Sequence, residues 1–140
     1  MDLVADPNVV ISALIKKGNV SEVFSLNFIL EEFRFIAPNF LILEVGNHTE
    51  KIMKNTHLSQ ELLKEELELI MEQIVFIPEE KFKHKTEEAR TILKGHEKDV
   101  PYLALALAFN CKIFSRDKTL KSIIPDKVLT PREILEELSK

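Results

Sequence analysis

The stretch Lys98–Asp117, KDVPYLALALAFNCKIFSRD, limits what this 140-residue chain can fold into more than any other part of it. Leu and Ala alternate from Leu103 to Ala108, but alternation between two apolar residues is not the apolar/polar alternation of a half-buried strand. Both are strong helix formers, so the run from Val100 to Phe109 reads as a helix. Pro101 suits its first turn and Asn110 a left-handed stop. A helix apolar on every face must be buried. It descends about 15 Å at roughly 1.5 Å per residue. An extended return from Cys111 to Ser115 climbs about 16 Å at roughly 3.3 Å per residue. Packed antiparallel, the two bring Asp117 back to the level of Asp99.

The remaining chain punctuates itself. Leu3-Val4-Ala5 reads as a strand ending in Asp6, followed by a helix from Asn8 to Lys16 that Gly18 stops. Asn19 or Ser21 caps the next helix, whose apolar positions Val23, Phe24, Phe28 and Phe33 have helical spacing. Arg34–Ala37 is a second strand stopped by Pro38, then come helices over Asn39–Asn55 and Ser59–Gln73. Ile74–Ile77 is a third strand, and Glu79–Leu93 a polar helix ended by Gly95. The opening stretch supplies a helix and the fourth strand. A short helix over Thr119–Ile123, a fifth strand at Lys127–Leu129 and a Thr130-capped helix Pro131–Leu138 complete the chain. Short apolar strands alternating with helices predict an α/β fold: one domain over 1–140, a parallel sheet of five strands with helices on both faces. Ligands in such sheets sit beyond the carboxyl ends of the strands.

Composition narrows the function. The net charge of −4 argues against nucleic-acid binding by bulk charge alone, though not against local basic groups or metal ions. The excess acid is concentrated in Glu61, Glu65, Glu66, Glu68 and Glu72, a solvated helix face. A lone cysteine, Cys111, excludes an intrachain disulfide and a thiolate metal cluster. No apolar run approaches the ~20 residues of a membrane span, and the N-terminus lacks a signal-peptide pattern, so the expected compartment is the cytoplasm.

Four acids then stand out. Asp6 follows the first strand, Asp117 the fourth, and Asp99 reaches the same edge; Glu44 interrupts the apolar run Phe40–Val45. Each has a plain alternative: Asp6, Asp99 and Asp117 can cap helices, and a lone glutamate is usually solvated. Capping does not explain Glu44. Four carboxylates around one cleft repel unless protons or cations intervene, and oxygen-only ligands point to Mg²⁺ or Mn²⁺. Lys98, Arg116, Lys118 and Lys121 flank the set and could contact phosphates, or simply be solvated. His48 lies four residues after Glu44 but has no partner histidine at metal-ligand spacing, and His57, His84 and His96 carry no motif.

The motifs Asp6-Pro7-Asn8-Val9-Val10-Ile11-Ser12-Ala13-Leu14, Leu43-Glu44-Val45, Lys98-Asp99-Val100-Pro101-Tyr102-Leu103-Ala104-Leu105-Ala106 and Ser115-Arg116-Asp117, in that order over nearly the whole chain, resemble the four motifs of the PIN domain. The resemblance implies a five-stranded parallel sheet and a metal-dependent ribonuclease of the kind found in toxin–antitoxin pairs, often as a homodimer. Carried over, Asp6, Glu44, Asp99 and Asp117 would hold Mg²⁺ or Mn²⁺, with Asn8 and Ser115 in support. The expected reaction is hydrolysis of RNA. A catalytically inactive RNA- or partner-binding module on the same fold is the first rival. A phosphoacceptor domain is the second, but it needs an acidic pair where Ala5 precedes Asp6. No glycine-rich phosphate loop exists. The apolar faces of the helices at 19–33 and 59–73 exceed what a small sheet covers, which points to a second subunit or a partner peptide.

Overall fold

The computed structural model describes residues 1–140. Strands β1 (Asp2–Ala5), β2 (Arg34–Pro38), β3 (Ile74–Ile77), β4 (Lys112–Phe114) and β5 (Val128–Leu129) form one sheet in the order β3-β2-β1-β4-β5. Every pairing is parallel. Helices α1 (Pro7–Ile15) and α2 (Asn19–Leu30) link β1 to β2, and α3 (Leu41–Gly46), α4 (Thr49–Asn55) and α5 (Gln60–Glu72) link β2 to β3. Helices α6 (Thr86–Leu93) and α7 (Val100–Ala108) lead to β4, α8 (Lys118–Ile123) to β5, and α9 (Pro131–Leu138) ends the chain.

The apolar helix lies where its composition requires. α7 crosses β1, β2 and β4 with α6 packed beyond it, while α2 packs against α1 and α9. Val100, Leu103, Ala104, Leu105 and Ala106 are buried in it, and Asn110 takes the left-handed conformation (φ 50°) that stops the run. A parallel sheet covered by helices has little solvated side, hence strands without polar alternation. Phe35 and Phe114, from β2 and β4, meet Phe24 of α2 at ring-centroid distances of 5.2 and 5.8 Å. Half-buried Cys111 sits just before β4, where burial pushes its thiol up to about 11.

Three helices differ from the sequence reading. α2 stops at Leu30 rather than reaching residue 33, because Glu31 turns left-handed (φ 51°) and Phe33 folds into the core. Buried Asn27 secures that turn: its Oδ1 accepts from the Phe33 amide (2.8 Å) and its Nδ2 donates to the Phe33 carbonyl (2.9 Å). The same helix starts after Gly18, and Ser21 Oγ accepts from the Gly18 amide rather than capping as the first residue. The helix expected over 39–55 is two helices, α3 and α4, broken at Gly46-Asn47-His48. Glycine is a weak helix former, and Thr49 Oγ1 takes the Gly46 carbonyl (2.6 Å) in place of a helical amide. The helix expected over 79–93 begins as two 3₁₀ turns, Glu79–Lys81 and Lys83–Lys85, before α6. Phe82 between them is buried, and reaching the core breaks the helical path.

The order β3-β2-β1-β4-β5 sets up the site. The chain leaves β1 toward β2 on one side, while β4 flanks β1 on the other. A crevice therefore opens at the carboxyl ends of β1 and β4, where successive connections diverge.

Candidate active site

The β1–β4 register brings the first acid to the last motif. Ala5 is paired with Phe114, and the ladder continues one residue further as the Asp6 amide donates to the Phe114 carbonyl (3.2 Å). Asp6 and Ser115 consequently face each other, and Ser115 Oγ donates to Asp6 Oδ2 at 2.9 Å. The other Asp6 oxygen accepts from the Asn8 amide (2.9 Å), so Asp6 also caps α1. Burial pushes its carboxyl up to about 6, with Asp99 and Asp117 adding to the rise and the bonds from Asn8 and Ser115 opposing it.

Asp117 has a similar double position. Its Oδ1 accepts from the amides of Thr119 (2.9 Å) and Leu120 (3.1 Å), capping α8. Its own amide donates to Ser115 Oγ (3.0 Å). Ser115, only 1% exposed, thereby ties two acids together through one hydroxyl. The capping alternative holds for these two residues without displacing them from the cleft.

Asp99 is different. It lies at the start of α7, half-buried, and its carboxyl caps nothing and accepts no hydrogen bond within the chain. Burial, then Asp117 and more weakly Glu44, hold its pKa above the ordinary value, against the pull of His96 and Lys98. Glu44, on α3, is fixed by a residue that spacing did not single out: Tyr102 Oη donates to Glu44 Oε1 at 2.6 Å. Tyr102 is the chain's one tyrosine and stands three residues beyond Asp99 on an otherwise apolar helix, which is the signal that marks it. Burial and the Glu44 carboxylate raise its pKa.

These residues line one open cleft of ≈ 390 Å³: Asp6, Asn8, Glu44, Asp99, Tyr102 and Asp117, with Pro7, Asn47, His48 and Lys98 at its margins. Lys98 is its sole lining cation. The other three basic candidates lie elsewhere. Arg116 Nη1 donates to Ser12 Oγ (2.8 Å), away from the acids. Lys121 donates to the carbonyls of Pro125 and Val128 and to Glu133 Oε1, the last at 3.1 Å, so its ammonium is already occupied. Lys118 is exposed next to Asp117 but does not line the cleft. Asn8 contributes its main-chain amide, while its side chain lines the cleft without a bonding partner.

The acids share the cleft without converging into a tight cage: no three His, Cys, Asp or Glu side chains stand close enough to hold an ion among themselves. What the arrangement offers is four carboxylates, Asp6 and Asp117 joined through Ser115, Glu44 held by Tyr102 and Asp99 unbonded, with a free oxygen on each of Glu44 and Asp117. No helix of the chain is long and apolar enough to cross a membrane. No curated protein matches the chain. A family model described as PIN domain matches residues 4–139.

Proposed function

Because the chain belongs to the PIN-domain family, whose fold is of the nuclease type, we propose that it is a metal-dependent endoribonuclease that hydrolyses phosphodiester bonds of RNA. The observation that supports this reading best is the meeting of Asp6, Glu44, Asp99 and Asp117, from four separate elements, in one cleft at the sheet's carboxyl edge. The donor set is oxygen only, which fits Mg²⁺ or Mn²⁺. Its spread suits Mg²⁺ in particular, which keeps several waters rather than filling an all-protein cage. When bound, such an ion lowers the pKa of a water and stabilises charge on the leaving oxygen.

The side chains have distinct parts in this proposal. Asp6 and Asp117 are held in place by Ser115, and their orientation is set before any substrate arrives. Tyr102 does the same for Glu44. Asp99 has both oxygens free of hydrogen bonds within the chain, which leaves one for an ion and one to accept a proton from attacking water. Lys98 is the cation positioned to meet a phosphate oxygen. Lys121, bonded to Glu133, has no such part.

We expect cleavage of a single-stranded RNA oligonucleotide with Mg²⁺ or Mn²⁺, none in EDTA, and a loss on the order of 10²-fold or more in Asp99→Asn, the scale of a lost general base. Gel analysis of the products checks this. Equal cleavage by both proteins would rule out the site. RNA binding without cleavage by the native chain would favour an inactive binding module. Growth arrest on expression of the native chain, but not of Asp99→Asn, would carry the narrower reading of a cytoplasmic toxin held by an antitoxin.

Self-association belongs to the same proposal. Phe28, Ile29 and Leu30 of α2 and Leu62 and Leu69 of α5 are between 40% and 76% exposed, apolar side chains that a second copy of the chain would cover. A homodimer mass by light scattering at micromolar concentration is expected; a monomer mass would count against it.

A further inference from the structure

On the other side of the β4 end lies a second cleft of ≈ 390 Å³, lined by Lys16, Lys17, Arg116 and Arg132 and by no carboxylate. None of these four cations takes part in any ion pair of the chain. In a protein of net charge −4 that segregation is not a consequence of composition. Glu22, Glu66 and Glu136 line neighbouring depressions instead, and Glu133, which accepts from the Thr130 amide at the cleft's edge, is paired with Lys121.

The two clefts are joined by sequence and by a helix. Arg116 stands between Ser115 and Asp117, and in an extended chain successive side chains point to opposite sides. Asp117 therefore lines the acidic cleft while Arg116 lines the basic one, anchored there by its bond to buried Ser12 of α1. α1 itself begins at Asp6 and ends just before Lys16 and Lys17, about 15 Å away at roughly 1.5 Å per residue. Because Arg116 and Asp117 are neighbours in the chain, a strand seated over the acids has only to cross the Ser115–Asp117 segment to enter the basic cleft.

We propose that Lys16, Lys17, Arg116 and Arg132 form a cationic cleft that holds the phosphate backbone of single-stranded nucleic acid a few nucleotides from the bond that is cut. The proposal rests on the ribonuclease reading for its choice of polyanion. Phosphate contacts of this kind position a strand without reading its bases. Arginine offers a planar fork and lysine a mobile point charge, both suited to phosphate oxygens.

The test uses Lys17→Gln with Arg132→Gln, leaving Arg116 and its bond to Ser12 intact, against a control pair of exposed lysines outside the cleft, Lys81→Gln with Lys83→Gln. Both pairs change the net charge equally. Binding of a fluorescein-labelled single-stranded oligouridine is followed by anisotropy in EDTA over a salt series. The cleft pair is expected to bind roughly tenfold or more weaker at low salt, with a salt slope reduced by about 1.4, the value for two lost phosphate contacts. The control pair is expected to change affinity by less than about twofold. Equal losses in the two pairs overturn the proposal, as does unchanged binding by the cleft pair. Absence of binding by the native chain also overturns it and leaves the cations to an acidic protein partner. Cleft-dependent binding by a native chain that cuts no RNA with metal supports the cleft and removes the nuclease reading instead.

Discussion

Asp6→Asn is expected to stabilise the metal-free protein at pH 8 by about 1–2 kcal/mol while abolishing the proposed RNA cleavage. The carboxyl titrates at about 6 in the fold against 3.8 unperturbed, because burial disfavours its charge. Below about pH 4 both folded and unfolded chains carry the proton, and the group costs nothing. As the pH rises toward 6 the unfolded chain ionises first, so the native state loses stability across that window and stays penalised above it. A difference of about two pKa units corresponds to about 3 kcal/mol. Asparagine removes the penalty and keeps most contacts: its carbonyl can accept from the Asn8 amide and its amide can donate to Ser115 Oγ, but the buried Ser115 hydroxyl proton then loses its acceptor, which offsets about 1–2 kcal/mol of the gain. Thermal unfolding in EDTA should show the variant melting higher by roughly 5 °C at pH 8, with the gap closing and then reversing toward pH 4. A gap of the same size at both pH values would show that Asp6 is not a buried charge. Added Mg²⁺ or Mn²⁺ should raise the native protein more than the variant, since a ligand stabilises only the form that binds it. A buried carboxylate that resists ionising is the kind of stability cost a functional site carries.

Phe35→Ala is expected to cost about 3–5 kcal/mol, the range for truncating a fully buried aromatic ring. Phe35 is 0% exposed in the middle of the sheet. Its ring lies 5.2 Å from that of Phe24, 5.9 Å from Phe114 and 6.5 Å from Phe33. The rings of Phe114 on β4, Phe24 on α2 and Phe33 close around it, and β4 cannot move inward without breaking its ladder to β1. The expected reading is a lower urea midpoint at unchanged slope, since the surface exposed on unfolding hardly changes. A loss below about 1 kcal/mol would mean that the neighbours relax into the space, and that the aromatic cluster does not hold the sheet to α2.

Much of the fold was legible because the signals are local and strong. Each strand is a short apolar run with a breaker close behind it: Asp6-Pro7 after β1, Pro38 at the end of β2, Pro78 after β3. Pro101, Asn110 and the Leu/Ala run define α7 by composition alone. The misplaced boundaries share one cause, competition from tertiary contacts. Phe33 and Phe82 leave helical paths because burying an aromatic ring outweighs a few backbone hydrogen bonds, and nothing within a short window of sequence shows where the core will be. The break at Gly46 had a local signal in the glycine itself, but its form depends on the Thr49–Gly46 bond.

The candidate site divides along the same line. Which residue types stand at the ends of β1 and β4, and an acid within an apolar helix, are properties of the chain as written, as is the buried helix that returns Asp117 toward Asp99. The environment of each acid is not. Asp6 is buried and reluctant to ionise because the β1–β4 register places it against Ser115, and a register is a relation between residues more than 100 positions apart. Tyr102 reaches Glu44 across 58 positions, and Arg116 turns to Ser12 across 104. Charge and hydrogen bonding act over a few ångströms, so sequence could name the ionisable groups, while only the tertiary structure decided which of them share a cleft and which look away from it.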